Sequence, residues 1–166
     1  MPTAAVTPSP DADGLGTLAP EGRSARIIRV LDEQQSYELL TTTTVGRVGF
    51  VDDGRVQIYP VNFAVSGHDL LFRTSHDGLL ATLTLEPIDV SFEVDYHDPL
   101  GNTAWSVLMH GALSRVPDEY AGDVAARVNP WAGGDRNLAL SFSIQSIEGR
   151  AVRREPFRGK TADPEE

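Results

Sequence analysis

Between residues 88 and 96 the chain alternates without a slip. Ile88, Val90, Phe92 and Val94 share one face, and Asp89, Ser91, Glu93 and Asp95 share the other. A period of two marks an extended strand with one buried and one wet face, which is the pattern of antiparallel sheets. Residues 104–116 repeat it through Trp105, Val107, Met109, Gly111 and Leu113. Leu138, Leu140, Phe142 and Ile144 supply the inward face of a last long strand. Residues 45–51, 56–65 and 70–74 read as three more strands, turned by Asp52-Asp53-Gly54 and by Ser66-Gly67. Short helices are expected at 33–40 behind an Asp32 N-cap, at about 78–85 behind Ser75 or Asp77, and at 117–128 behind Pro117. Six such strands predict a mainly-β fold with short helices: a six-stranded antiparallel β-barrel, which hides its edges by closing.

The remainder bounds this one domain, expected at residues 27–155. Residues 1–26, rich in Pro, Ala, Thr and Gly, are expected to be a disordered tail, and residues 156–166, rich in charge, a flexible one. The formal net charge of the 166 residues is −10, so nucleic acid and anionic membrane surfaces are disfavoured partners. No apolar run approaches the roughly 20 residues of a membrane span, and the first 20 residues lack a signal-peptide pattern, so the expected compartment is the cytoplasm.

Inventory removes further chemistries. There is no cysteine, and Lys160 is the only lysine among 14 basic residues, which excludes a thiolate site and leaves little room for a Schiff base or a P-loop. No Gly-x-Ser-x-Gly or Gly-x-Gly-x-x-Gly motif is present. His68, His76, His97 and His110 are scattered without metal-ligand spacing. The Glu93 and Asp95 stripe reads as a solvated face.

The stretch from Val56 to Ala81 carries the functional signal. It reads as strand, turn, strand and helix start, and the second strand ends in Arg73-Thr74-Ser75 where the helix should begin. A helix N-terminus presents unpaired N–H groups, and an arginine with two hydroxyls beside it suits an anion such as phosphate. Pro60, which has no N–H to give, marks an edge, a bulge or a break near a site.

These residues, with Gly46-Arg47-Val48-Gly49-Phe50, Gln57-Ile58-Tyr59-Pro60-Val61-Asn62-Phe63, Leu71-Phe72-Arg73-Thr74 and Trp105-Ser106-Val107, resemble the pyridoxamine 5′-phosphate oxidase-like family of flavin-binding split β-barrels. Order and spacing match from about residue 31 to 115. The resemblance implies a split barrel that binds flavin mononucleotide (FMN) at a homodimer interface. It implies an oxidoreductase passing hydride or electrons between the flavin and a small-molecule substrate. By the same resemblance Arg73, Thr74 and Ser75 would meet the phosphate. Tyr59, Pro60, Val61 and Asn62 would lie along the flavin ring, their main chain bonding its polar edge. Trp105 and Ser106 would come from the partner across the interface. The resemblance names no catalytic acid or base.

One position departs from the pattern. Many relatives carry a lysine in the first helical turn after the Arg-Thr pair, and here that position is Leu79. The departure leaves two alternatives standing beside FMN. One is a deazaflavin-dependent reductase, whose 8-hydroxy-5-deazaflavin coenzyme with its acidic tail would need Arg47, Arg55 and Arg73 to converge. The other is a non-enzymatic flavin- or haem-binding or sensor module.

Overall fold

The computed structural model describes residues 26–131 and 133–154. In chain order the elements are β1 (Arg26–Leu31), α1 (Glu33–Leu40), β2 (Val45–Asp52), β3 (Arg55–Ser66) and β4 (Asp69–Thr74). They continue with α2 (Leu79–Leu83), β5 (Ile88–Asp98), β6 (Thr103–Arg115), α3 (Ala121–Arg127) and β7 (Leu138–Arg154). Every strand pairing is antiparallel. Six strands run β7-β4-β3-β2-β5-β6, and β6 pairs back onto β7, so the ring closes. The expected six-stranded barrel is this ring.

Closure depends on the length of β7. Its first half pairs with β4, from Leu138 opposite Thr74 to Ser143 opposite Asp69, while β6 runs along its other side. Its second half pairs with β1, Gly149 opposite Leu31 through Arg154 opposite Arg26. β1 is thus a seventh strand laid outside the ring, beyond the six that the alternation predicts. It also explains why β7 continues through Gly149 and Arg150, where local propensity predicts fraying: two neighbours hold it.

The barrel is filled by side chains. Phe92 of β5 meets Phe63 of β3, Phe72 of β4 and Phe142 of β7 at ring-centroid distances of 5.6, 5.9 and 5.6 Å. All four rings are buried, joined by Val48, Leu70, Met109, Leu113 and Leu140. α1 plugs one side, with Asp32 and Gln35 forming the expected reciprocal cap. It crosses β7 at Gly149, where an added Cβ would collide with the Ser36 hydroxyl.

Two helices differ from expectation. α2 is only five residues long and its N-cap is Gly78, so neither Ser75 nor Asp77 caps it. The region after Pro117 opens as a 3₁₀ turn at Asp118–Tyr120 that runs directly into the short α3, with Tyr120 keeping right-handed helical backbone at φ −104°, ψ −2°. Of the expected tails only Arg26, the first residue of β1, lies within the described residues. No helix among the described residues is long and apolar enough to cross a membrane.

The β6–β7 seam shifts register between His110 and Gly111. There the backbones approach so closely that a Cβ on Gly111 would strike the Ser143 carbonyl oxygen. Gly111→Ala is expected to lower the unfolding free energy by about 1–3 kcal/mol. A urea denaturation midpoint equal to that of the parent would show that the seam can give.

Candidate functional site

The site is built by a parting of two strands. β3 pairs with β2 along its first eight residues, Arg55 through Asn62, and with β4 only from Phe63 to Ser66. Phe63 opposite Phe72 is the last β3–β4 rung, and beyond it β3 has no neighbour on that side. The Phe63 amide donates to the Thr44 carbonyl at 2.9 Å, which fixes the alternation of the ladder. The odd positions, 57, 59 and 61, exchange their main-chain bonds with β2. The main-chain groups of Ile58, Pro60 and Asn62 point to the open edge. Pro60 therefore costs β2–β3 no hydrogen bond, which accounts for a proline inside a twelve-residue strand.

The side chains alternate to match. Tyr59 and Val61 turn inward against the core, Tyr59 packing edge-on to Phe50 at 5.2 Å. Pro60 is exposed and Asn62 half-buried. Asn62 is tethered twice: its Oδ1 accepts from the Trp131 amide at 2.8 Å, and its Nδ2 donates to the Thr44 carbonyl at 3.4 Å.

Across the parting, β4 ends in Arg73 and Thr74, which stay paired with Ala139 and Leu138 of β7. Arg73 is half-buried and its Nη2 donates to Asn137 Oδ1 at 3.0 Å. The salt bridges found among the described residues both belong to Arg47, so Arg73 keeps its charge uncompensated in an acidic chain. Thr74 is buried, at 7% exposure, and Ser75 Oγ lies close under Gly78, where a Cβ would stand 3.0 Å from it. The Arg73-Thr74-Ser75 run and the open edge at Asn62 thus flank one cleft mouth. The five-residue α2 adds little dipole, so positive charge at the mouth comes from side chains. Leu79, its first residue, packs partly buried against the barrel core.

Trp105 and Ser106 are not brought to this mouth within one chain. They pair with Ala151 and Arg150 on the far half of β7, whereas Arg73 pairs with Ala139. Twelve residues of strand separate the two, a path of roughly 40 Å at about 3.3 Å per residue. Trp105 instead stacks on Tyr96 at 6.3 Å.

The outer face of β2, β3, β5 and β6 is apolar around a charged centre. Val51, Val56 and Ile58 are 67, 73 and 63% exposed. With Gly49 and Leu108 they line an open groove of about 420 Å³. Beside it Arg47 Nη1 meets Glu93 Oε2 at 2.9 Å and Asp95 Oδ1 at 2.5 Å. The hydrogen bonds that Arg47 donates to Asp95 and then to Glu93 raise its pKa above the usual value. Arg55 pairs with Asp52 at the far end of β3, seven residues from Asn62, or roughly 23 Å at about 3.3 Å per residue. Arg47, Arg55 and Arg73 therefore do not converge.

Sequence reasoning passed over the segment between α3 and β7. Its Trp131 amide holds Asn62, its Asn137 holds Arg73, and the Trp131 indole stands exposed beside them. The legible signal was adjacency: a segment running into a strand that pairs with Arg73 and Thr74 has to pass the mouth.

Comparison with known proteins gives these features their setting. The family model described as pyridoxamine 5′-phosphate oxidase matches residues 32–151. A candidate pyridoxamine 5′-phosphate oxidase from Corynebacterium glutamicum superposes with a TM-score of 0.67 at 27% identity, covering 78% of this chain and 96% of that one. The FAD-binding protein from Mycobacterium smegmatis gives 0.60 at 26% identity, covering 75% and 98%. An uncharacterized protein of Mycobacterium tuberculosis is 26% identical over 139 residues, covering 81% of this chain and 91% of its own length. The fold is the split β-barrel of these proteins. The chain belongs to the pyridoxamine 5′-phosphate oxidase family.

Asn62→Ala removes both tethers at the mouth. It is expected to cost about 1 kcal/mol of stability and to speed hydrogen exchange at the Trp131 amide. Unchanged exchange there would show that Asn62 does not hold the segment.

Proposed function

We propose that this protein binds FMN in the parting between β3 and β4 and acts as a homodimeric flavin-dependent oxidoreductase on a small-molecule substrate. The observation that carries this is the parting itself, where β3 leaves the main-chain edge at Pro60 and Asn62 without a neighbour and β4 ends beside it in Arg73 and Thr74. The residues present suit the cofactor's two ends. An open strand edge offers donors and acceptors in one line, as a flavin's polar ring edge requires. Arg73 can fork onto phosphate oxygens with Thr74 and Ser75 completing the set. The family membership supports a flavin cofactor, and the flavin named for the M. smegmatis relative is FAD, which shares the ring and a phosphate-bearing tail with FMN.

The flavin, when bound, supplies hydride or electron transfer. The chain's part is to bind and orient. The edge at 58–62 would hold the ring, Pro60 presenting a carbonyl with no competing N–H, and Arg73 would anchor the tail. A longer acidic tail, as in the deazaflavin coenzyme, would call for a basic groove, and the separation of Arg47, Arg55 and Arg73 gives it none.

Two observations support the homodimer. Trp105 and Ser106 are too far from Arg73 to share a site within one chain. The exposed Val51, Val56 and Ile58 face lies on the same sheet as the open edge and offers an apolar surface for a second copy.

The purified protein is expected to show flavin absorption bands, or to gain them on adding FMN. Arg73→Ala should weaken FMN binding at least tenfold without changing the melting temperature; an unchanged dissociation constant would remove Arg73 from the phosphate. Ile58→Glu should convert the dimer to a monomer in sedimentation and reduce flavin binding with it. A variant that still sediments as the parent does would place the interface elsewhere.

A further inference from the structure

We infer that Arg136, which neither the family pattern nor the strand reading singles out, is a second arginine of the phosphate site and supplies the charge that Leu79 does not. The inference rests on the flavin reading above and assigns one more residue to that site.

Three observations converge on it. The first is register. Thr74 pairs with Leu138 and Arg73 with Ala139. The Thr74–Leu138 pair is the last rung, and Arg136 lies two residues before Leu138, on the stretch of chain that leads up to the end of β4. The second is an unmet donor. Nε of Arg136 is shut off from solvent and has no hydrogen-bond partner among the described residues. A buried N–H without an acceptor is costly and rare, so it signals a group that belongs there. The third is charge. Neither salt bridge found among the described residues involves Arg136, and its neighbour Asn137 is the residue that holds Arg73. Two arginine side chains without a carboxylate partner thus enter one corner of a chain whose net charge is −10.

The chemistry fits a phosphate monoester. A guanidinium binds two oxygens at once through Nε–H and one Nη–H, so a turn of the Arg136 side chain that uncovers its orphaned Nε would give a phosphate both halves of the fork. Arg73 would grip the group from β4 and Arg136 from the approach to β7, with Thr74 and Ser75 between them. A lysine at position 79 would then be redundant, and Leu79 is free to pack against the core as it does.

The test uses FMN and riboflavin, which share the ring and differ by the phosphate. Each is titrated against the parent protein, Arg136→Gln and Arg136→Lys by flavin fluorescence. Arg136→Gln is expected to weaken FMN binding by roughly tenfold or more and to leave riboflavin binding unchanged. Arg136→Lys, which keeps the charge and loses the fork, should give a smaller loss confined to FMN. It decides the matter alone if the glutamine variant does not fold. Parent-like FMN affinity in the variants overturns the inference and leaves the flavin reading standing. Equal losses for FMN and riboflavin overturn it too, by making Arg136 a support of the fold. A parent protein that binds neither flavin brings down the flavin reading, and this inference with it.

Discussion

Phe92 sits where four strands have to agree. Its ring touches phenylalanines from β3, β4 and β7, and Gly46 on β2 has no side chain because that ring occupies the space. A six-stranded barrel is narrow enough for side chains to fill it, and this one is full. The described core side chains occupy the interior, which directs a binding site to the wall. The same packing decides where. Phe63 and Phe72 form the last rung between β3 and β4, and both are anchored in the aromatic cluster. One residue further along each strand the side chains point away from the core, and the strands part at Asn62 and Arg73. Core packing therefore sets the position of the cleft mouth.

Much of this was legible in the residues. Alternation gave the strand faces directly, since Val90, Phe92, Val94, Val107, Met109 and Leu113 are buried as the period of two requires. Asp32 as a cap and Pro60 as an edge marker were readable because each acts through its own backbone. The helix ends after Ser75 and Pro117 were misjudged. Glycine took the cap at residue 78 without a side-chain bond, and the segment after Pro117 began as a 3₁₀ turn before becoming α3. β1 and the far half of β7 were underestimated because each is stabilised by the other, a pairing across more than a hundred residues that no local signal carries.

The candidate site divides along the same line. Arg73, Thr74 and the segment from Tyr59 to Asn62 are neighbours in sequence through one hairpin, so a local reading finds them together. Asn137 and Trp131 reach the same place from the opposite half of the chain. Only the β4–β7 register brings them there. Trp105 and Ser106 illustrate the reverse: a pattern can group residues that a single chain keeps apart.

An unpaired strand edge is an invitation to any other extended chain, and fibrils grow by accepting it. On β3 the exposed row from Arg55 to Asn62 is long enough to template a partner strand, but Pro60 interrupts its donors in the middle. An incoming peptide would forfeit a ladder bond there and collide with the pyrrolidine ring. A flat heterocycle needs only a few of the remaining groups and loses nothing. The proline thus acts as a filter on size and repeat: the edge refuses the polymer and would still leave room for a small planar guest.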